Sequence, residues 1–168
     1  MGGFRYANII ATMTGAITQA TDDTITMKTA LFAYGTLQIP EVMLAVAGRT
    51  YSSIPARLEG YACYALTGKS FPGLKKEKDK VTNGKLYLEI DPPALAKLDL
   101  FEDDFYQRST LEVVAETAER FDAETYLISE QHYSLVHEVP WDLERFVALH
   151  LDSFLKDRHI FQPLGLEK

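Results

Sequence analysis

The sequence predicts an α+β domain. Apolar runs of strand length come in groups instead of alternating regularly with helices, and three amphipathic stretches each begin at a proline or a capping aspartate. The chain has 168 residues with 46% hydrophobic types, enough for one sizeable core and too little to argue for two. The order strand, helix, several strands, helix, strands, helix argues against a sheet built from repeated parallel crossovers. One domain is expected over residues 29–160, preceded by a weakly specified extension, 1–28, rich in Thr, Ala and Gly, and followed by a tail, 161–168.

Each element has a local reason. Residues 30–34 form a nearly continuous apolar run suited to a buried strand, which Gly35 ends. Pro40 suits a first helical turn; Val42, Met43, Leu44, Val46 and Ala47 give that helix an apolar surface and Gly48 a stop. Residues 57–66 and 81–90 read as strands, the second with a bulge at Gly84, and Phe71-Pro72-Gly73 as a turn. The alternating charges of 73–80 read as a solvated loop. Asp91-Pro92-Pro93 opens a second helix that places Leu95, Leu98 and Glu102 on one stripe. Residues 110–116 and 123–129 look like a strand pair joined through 118–122. After Pro140 and a capping Asp142, Leu143, Phe146, Val147, His150, Leu151, Phe154 and Leu155 trace one amphipathic helix.

The charge balance narrows the partners. With 17 basic and 24 acidic residues the formal charge is −7, which disfavours broad contact with nucleic acid or an anionic membrane. No apolar run approaches the roughly 18 residues of a membrane span. Cys63 is the single cysteine, so no internal disulfide or cysteine-rich metal site is available, and a cytoplasmic setting is expected. In its strand-like context Cys63 reads as a buried free thiol. His132, His137, His150 and His159 lack the spacing of convergent metal ligands, and no Gly-Lys-Thr phosphate loop occurs. Neither a metal nor a cofactor is expected.

The stretch 95–109 is richer. Asp99, Glu102, Asp103 and Asp104 gather at a helix C-terminus, where negative charge is disfavoured by roughly 0.3–1 kcal/mol when exposed. Two readings stand: carboxylates turned into water with Arg108 offsetting them, or a partly buried Glu102 whose raised pKa suits proton transfer near neutrality.

Tyr34-Gly35-Thr36-Leu37 after a strand, and Leu98-Asp99-x-Phe101-Glu102-x-x-x-Tyr106-x-Arg108 some sixty residues later, resemble the gamma-glutamylcyclotransferase superfamily, especially its small AIG2-like branch. Pro55-Ala56-x-Leu58-x-Gly60-Tyr61, Phe71-Pro72-Gly73, Val81-x-x-Gly84-x-Leu86-Tyr87 and Trp141-Asp142-Leu143-Glu144 extend the likeness, which runs from about Leu31 to Lys156. Each element is weak by itself, and the ordered set is specific.

The resemblance implies a small mixed β-barrel with flanking helices and a pocket at the first strand-to-helix transition. It implies substrate contacts at Tyr34, Gly35, Thr36 and Leu37, and an acid–base role for Glu102. Tyr106 is a candidate for orienting Glu102 or substrate, with a sheet tyrosine as the other reading; Arg108 reads as an ion-pair residue. The implied partner is a small γ-glutamyl amine or amide, cyclised to 5-oxoproline with release of an amine. Leu37 stands where the larger cyclotransferases carry Asn, which argues against simply carrying over their glutathione or free γ-glutamyl-amino-acid preference. The alternative is a non-enzymatic domain that keeps the pocket to bind a small molecule or a protein.

Overall fold

The computed structural model describes residues 27–157. The expected extension, apart from its last two residues, and the expected tail lie outside the described residues, as does His159. Six strands carry the domain: β1 (Thr29–Ala33), β2 (Ser53–Leu66), β3 (Pro72–Ile90), β4 (Tyr106–Ala115), β5 (Arg120–Ile128) and β6 (Val136–Pro140). Helix α1 (Pro40–Ala47) follows a 3₁₀ turn at Thr36–Gln38, α2 (Pro92–Phe101) joins β3 to β4, and α3 (Leu143–Leu149) and α4 (Leu151–Lys156) close the described chain.

The strands run in the order β3-β1-β5-β4-β2, and β2 pairs back onto β3, so five strands form a closed mixed barrel with β6 added outside β2. All ladders are antiparallel except β1–β5, a parallel contact at Leu31↔Glu124. The two-residue period of β1 divides the core. Phe32 and Tyr34 point into the barrel, against Leu58, Leu74, Leu86, Val113 and Ala123. Leu31 and Ala33 point outward, under Val42, Met43 and Val46 of α1, Leu98 of α2, and Phe146 and Phe154 of the last helices. Both faces of β1 are covered, which explains why its sequence is apolar throughout instead of alternating.

Helix boundaries follow their caps. Pro40 opens α1 and Gly48 ends it at φ 80°; the Asp91 and Asp142 side chains accept from Ala94 N–H and Arg145 N–H. Five expectations need correction. Phe71-Pro72-Gly73 is not the turn: Pro72 and Gly73 already belong to β3, paired with Ala65 and Tyr64, and the chain turns at 67–68. Residues 73–80 are not a loop: they continue β3, with Cys63↔Leu74 and Tyr61↔Lys76 in register. Six successive charged residues, Lys75 to Lys80, stand on both faces of a long hairpin arm, so composition conceals the ladder.

Gly84 does not mark a bulge. The register shifts at Glu59/Tyr61, where Gly60 has φ 79°; a Cβ on Gly84 would lie 2.3 Å from Ala33 O and 2.8 Å from the Phe32 ring, so that glycine lets β3 approach β1. The C-terminal helix is two helices, broken at His150 (φ −127°, ψ −22°), whose ring is exposed beside Phe146 and not on the packing face. Glu102 leaves the helical stripe, since it caps α2 with extended geometry (φ −74°, ψ 138°).

Candidate active site

The turn after β1 is a backbone cradle. Five successive carbonyls each have a donor: Tyr34 O from Gln38 Nε2 at 2.7 Å, Gly35 O from Gln38 N–H at 3.1 Å, Thr36 O from Ile39 N–H at 3.0 Å, Leu37 O from the Tyr87 hydroxyl at 2.8 Å and Gln38 O from Lys85 Nζ at 2.8 Å. The N–H groups of Gly35, Thr36 and Leu37 have no acceptor among the described residues. Turning the carbonyls away and leaving consecutive amides free is the arrangement that receives an anion or a carbonyl oxygen. Pro72 packs so closely that a Cβ on Gly35 would meet its ring at 2.9 Å, which accounts for the glycine.

A cavity of about 130 Å³ opens against this turn, lined by Tyr34, Gly35, Thr36 and Leu37 together with Glu102 and Tyr106. Residues far apart in sequence meet because β1 ends beside the link between α2 and β4. That link is only four residues long, and Tyr106 N–H bonds Asp103 O at 2.9 Å, so Glu102 is held at the barrel rim.

The Glu102 carboxyl makes no hydrogen bond or ion pair among the described residues. No buried polar side-chain atom there lacks a partner, so its oxygens keep surface on the cavity instead of being sealed in packing. Burial first, then the Asp103 and Asp99 charges, push its pKa up to about 8. Lys69 reaches Asp103 at 3.7 Å, not Glu102.

Neighbouring groups are committed elsewhere. Arg108 binds Asp99 at 2.9 Å and Glu124 at 3.2 Å, and the Tyr126 hydroxyl donates to Asp99 Oδ1 at 2.8 Å. Arg108 is therefore an ion-pair residue, as its spacing suggested, but the charge it offsets is Asp99 and not Glu102. The Tyr106 hydroxyl donates to Pro72 O and the Tyr34 hydroxyl to Tyr126 O at 2.7 Å. Neither phenol bonds Glu102, so the orienting role weighed for Tyr106 has no hydrogen bond behind it. Burial raises both phenol pKa values well above the ordinary range, and both stay neutral. The Thr36 hydroxyl has no partner among the described residues, and Thr36 belongs to the lining.

Cys63 is partly buried, and burial pushes its thiol up to about 12, the environment of an unreactive sulfur. His132 bonds Ser129 Oγ at 2.7 Å in a 3₁₀ turn and His137 lies on β6. Among the described residues no group of three His, Cys, Asp or Glu converges, and no helix is long and apolar enough to cross a membrane.

Sequence reasoning missed Phe71, Pro72, Leu100, Phe101, Tyr126 and Phe154 as cavity walls. Phe154 carried a signal, its place on the C-terminal apolar stripe, but nothing in the stripe shows which cavity it borders.

The closed barrel and its helices define a gamma-glutamyl-cyclotransferase-like fold: the chain superposes on a solved structure named gamma-glutamyl cyclotransferase with a TM-score of 0.55 and 15% identity, covering 77% of this chain and 87% of that one. The solution structure of At3g28950.1 from Arabidopsis thaliana gives a TM-score of 0.59 at 26% identity, covering 82% and 84%. Protein AIG2 B of Arabidopsis thaliana is 32% identical over 128 residues, 75% of each chain. The family model described as gamma-glutamyl cyclotransferase, AIG2-like, matches residues 31–143, and the chain belongs to that family.

Proposed function

We infer that the protein is a γ-glutamyl cyclotransferase acting on a small γ-glutamyl amine or amide. The observation that carries this reading is the meeting, in one cavity, of an unpaired Glu102 carboxyl with the free amides of Gly35, Thr36 and Leu37. A γ-glutamyl compound contains its own nucleophile. Its α-amine attacks the γ-carbonyl, a five-membered lactam closes and the γ-amide C–N bond breaks, giving 5-oxoproline and an amine. Holding both ends of one molecule in contact avoids the entropy cost of gathering two reactants.

The protein's part is to hold and to move a proton. The amide cradle receives the α-carboxylate or the γ-carbonyl oxygen, with the Thr36 hydroxyl as a further donor. Glu102 accepts the proton that the α-ammonium must shed and returns it to the departing nitrogen. Its pKa of about 8 leaves part of the carboxyl ionised near neutral pH and makes the protonated form acidic enough to give the proton back, so one carboxyl serves both steps.

Purified protein incubated with γ-glutamyl dipeptides, γ-glutamylamines and ε-(γ-glutamyl)-lysine should release 5-oxoproline and the matching amine, read by mass spectrometry. A folded Glu102→Gln variant should lose at least about 100-fold in kcat, the lower range for a general acid–base group. Wild-type turnover in that variant would reject Glu102 as the proton carrier.

A further inference from the structure

The hairpin of β2 and β3 is bent. Pairing passes from Glu59↔Val81 to Tyr61↔Lys76, so residues 77–80 stand opposite Gly60 alone, with Gly60 at φ 79° and Asp79 at φ 65°. A bulge of this kind kinks the strands and increases their twist. The two halves of the hairpin thereby become walls of one groove of about 710 Å³, with residues 53–55 and 83–85 from one side of the bend and 62–64 from the other. Trp141 and Leu143 line it from the entry to α3, and Gln38 from the turn after β1. That volume falls within the roughly 300–1,000 Å³ of pockets that take small ligands. Among the described residues the groove shares only Tyr34 with the cavity that holds Glu102.

The lining combines a fixed cation with a fixed ring. Half-buried Lys85 donates from Nζ to Gln38 O at 2.8 Å and has no carboxylate partner among the described residues. An ammonium carries three N–H groups, so two remain for a ligand. Lys80, the other cation of the lining, stands 3.9 Å from Glu77, and its charge is already answered. Trp141 Nε1 donates to Ser70 O at 2.8 Å and its ring packs on Phe146 at 5.6 Å, so the indole is anchored before any ligand arrives. Val81, Pro140 and Leu143 add apolar lining. Exposed Asn83 lies two residues from Lys85 on β3, hence on the same face of the strand. One unanswered positive charge beside an apolar wall selects among ligands. A dianion would keep one uncompensated charge, a cation would meet Lys85 with like charge, and a neutral hydrocarbon would forgo it.

We propose that this groove binds a small organic monoanion, a carboxylate on an apolar, ring-sized body, with the carboxylate at Lys85 and Asn83 and the body against Trp141 and Leu143. The site goes beyond the cyclotransferase reading and does not rest on it. Because the ammonium and the indole are already held in place, little side-chain freedom is lost on binding.

Trp141 is the chain's single tryptophan and lines the groove, not the Glu102 cavity, so its fluorescence reports on the groove. The full chain is titrated near neutral pH with 3-phenylpropionate, propionate, the neutral 3-phenylpropanol, the cation phenethylamine and the dianion phenethyl phosphate. 3-Phenylpropionate should shift the emission saturably, with half-saturation below about 10 mM for a ligand of its size. Propionate, which lacks the ring, should bind about 10-fold more weakly. The alcohol and the amine should bind about 3-fold or more weaker than the acid. Asn83→Asp sets a carboxylate beside Lys85 and should weaken the acid about 5-fold while leaving the alcohol unchanged. Lys85→Gln should bring acid and alcohol to equal affinity. Circular dichroism checks that both variants fold, and the wild-type ligand series decides by itself should either fail.

No saturable change in Trp141 emission, an alcohol or amine equal to the acid, or tighter binding of the phosphate overturns the proposal. An acid response that Asn83→Asp leaves intact also overturns it, because the carboxylate then sits elsewhere, the amide cradle included.

Discussion

At the scale of single residues, Glu102 is tuned by what it lacks. Burial and the Asp103 and Asp99 charges hold its carboxyl at about 8, with no lysine or arginine on it to bring the value down. On the cyclotransferase reading proposed above, productive encounter needs one proton shared between Glu102 and the substrate's α-amine. Below both pKa values each group is protonated and no base is present; above both, neither can protonate the leaving nitrogen. The kcat/KM profile should be bell-shaped, with its acidic limb near pH 8 set by Glu102 and its alkaline limb at the higher pKa of the α-amine, falling about tenfold per unit well outside the two. Asp103→Asn removes the larger of the two charge contributions and frees Lys69, and both changes favour the ionised carboxylate. The acidic limb should move to lower pH; a limb that stays in place would mean that another group titrates there.

Elements set where those residues stand. Periodicity puts Glu102 on the apolar stripe of α2, yet the chain has already left the helix there, and it is the short link to β4 that brings the carboxyl to the cradle. The sequence made β1, the turn, the proline start of α1 and the capped start of α2 legible, because apolar runs, prolines and an aspartate cap act locally. The arm 73–80 was not legible, since a strand charged on both faces has the composition of a loop. The break at His150 has no Gly or Pro to announce it. Gly84 was noticed for the wrong reason, and its actual role predicts a cost. A methyl there would press on the Ala33 carbonyl, which is backbone and cannot turn aside, and on the Phe32 ring that fills the barrel. Gly84→Ala should destabilise by about 1–3 kcal/mol or more, read as a lowered denaturant midpoint with an unchanged slope.

Over the whole molecule, closure of the barrel is what creates the site, and closure has almost no sequence signature. The ring is completed by Leu31↔Glu124 on one side and by Ala56↔Ala115 with Arg57↔Val114 on the other, pairings too short to leave a periodic pattern. The enclosure that raises the Glu102 pKa also costs stability, and the sign can be worked out. The ordinary value is 4.5 and the folded value about 8, so between them the folded chain holds a proton that the unfolded chain has released. Stability from this group is therefore full below about pH 4.5, declines as pH rises toward 8, and stays diminished above it. Asp91 and Glu138 act oppositely: their pKa values are lowered by hydrogen bonds from Ala94 N–H and Lys75, so their contribution fades at acid pH. Glu102→Gln keeps the shape and removes only the titration. Its melting temperature should match the wild type below about pH 4 and exceed it above pH 8, by several degrees if about 2 kcal/mol is recovered. An equal offset at both pH values would show that packing changed instead, and a wild type more stable than the variant at pH 9 would mean that the carboxylate has a partner in solution.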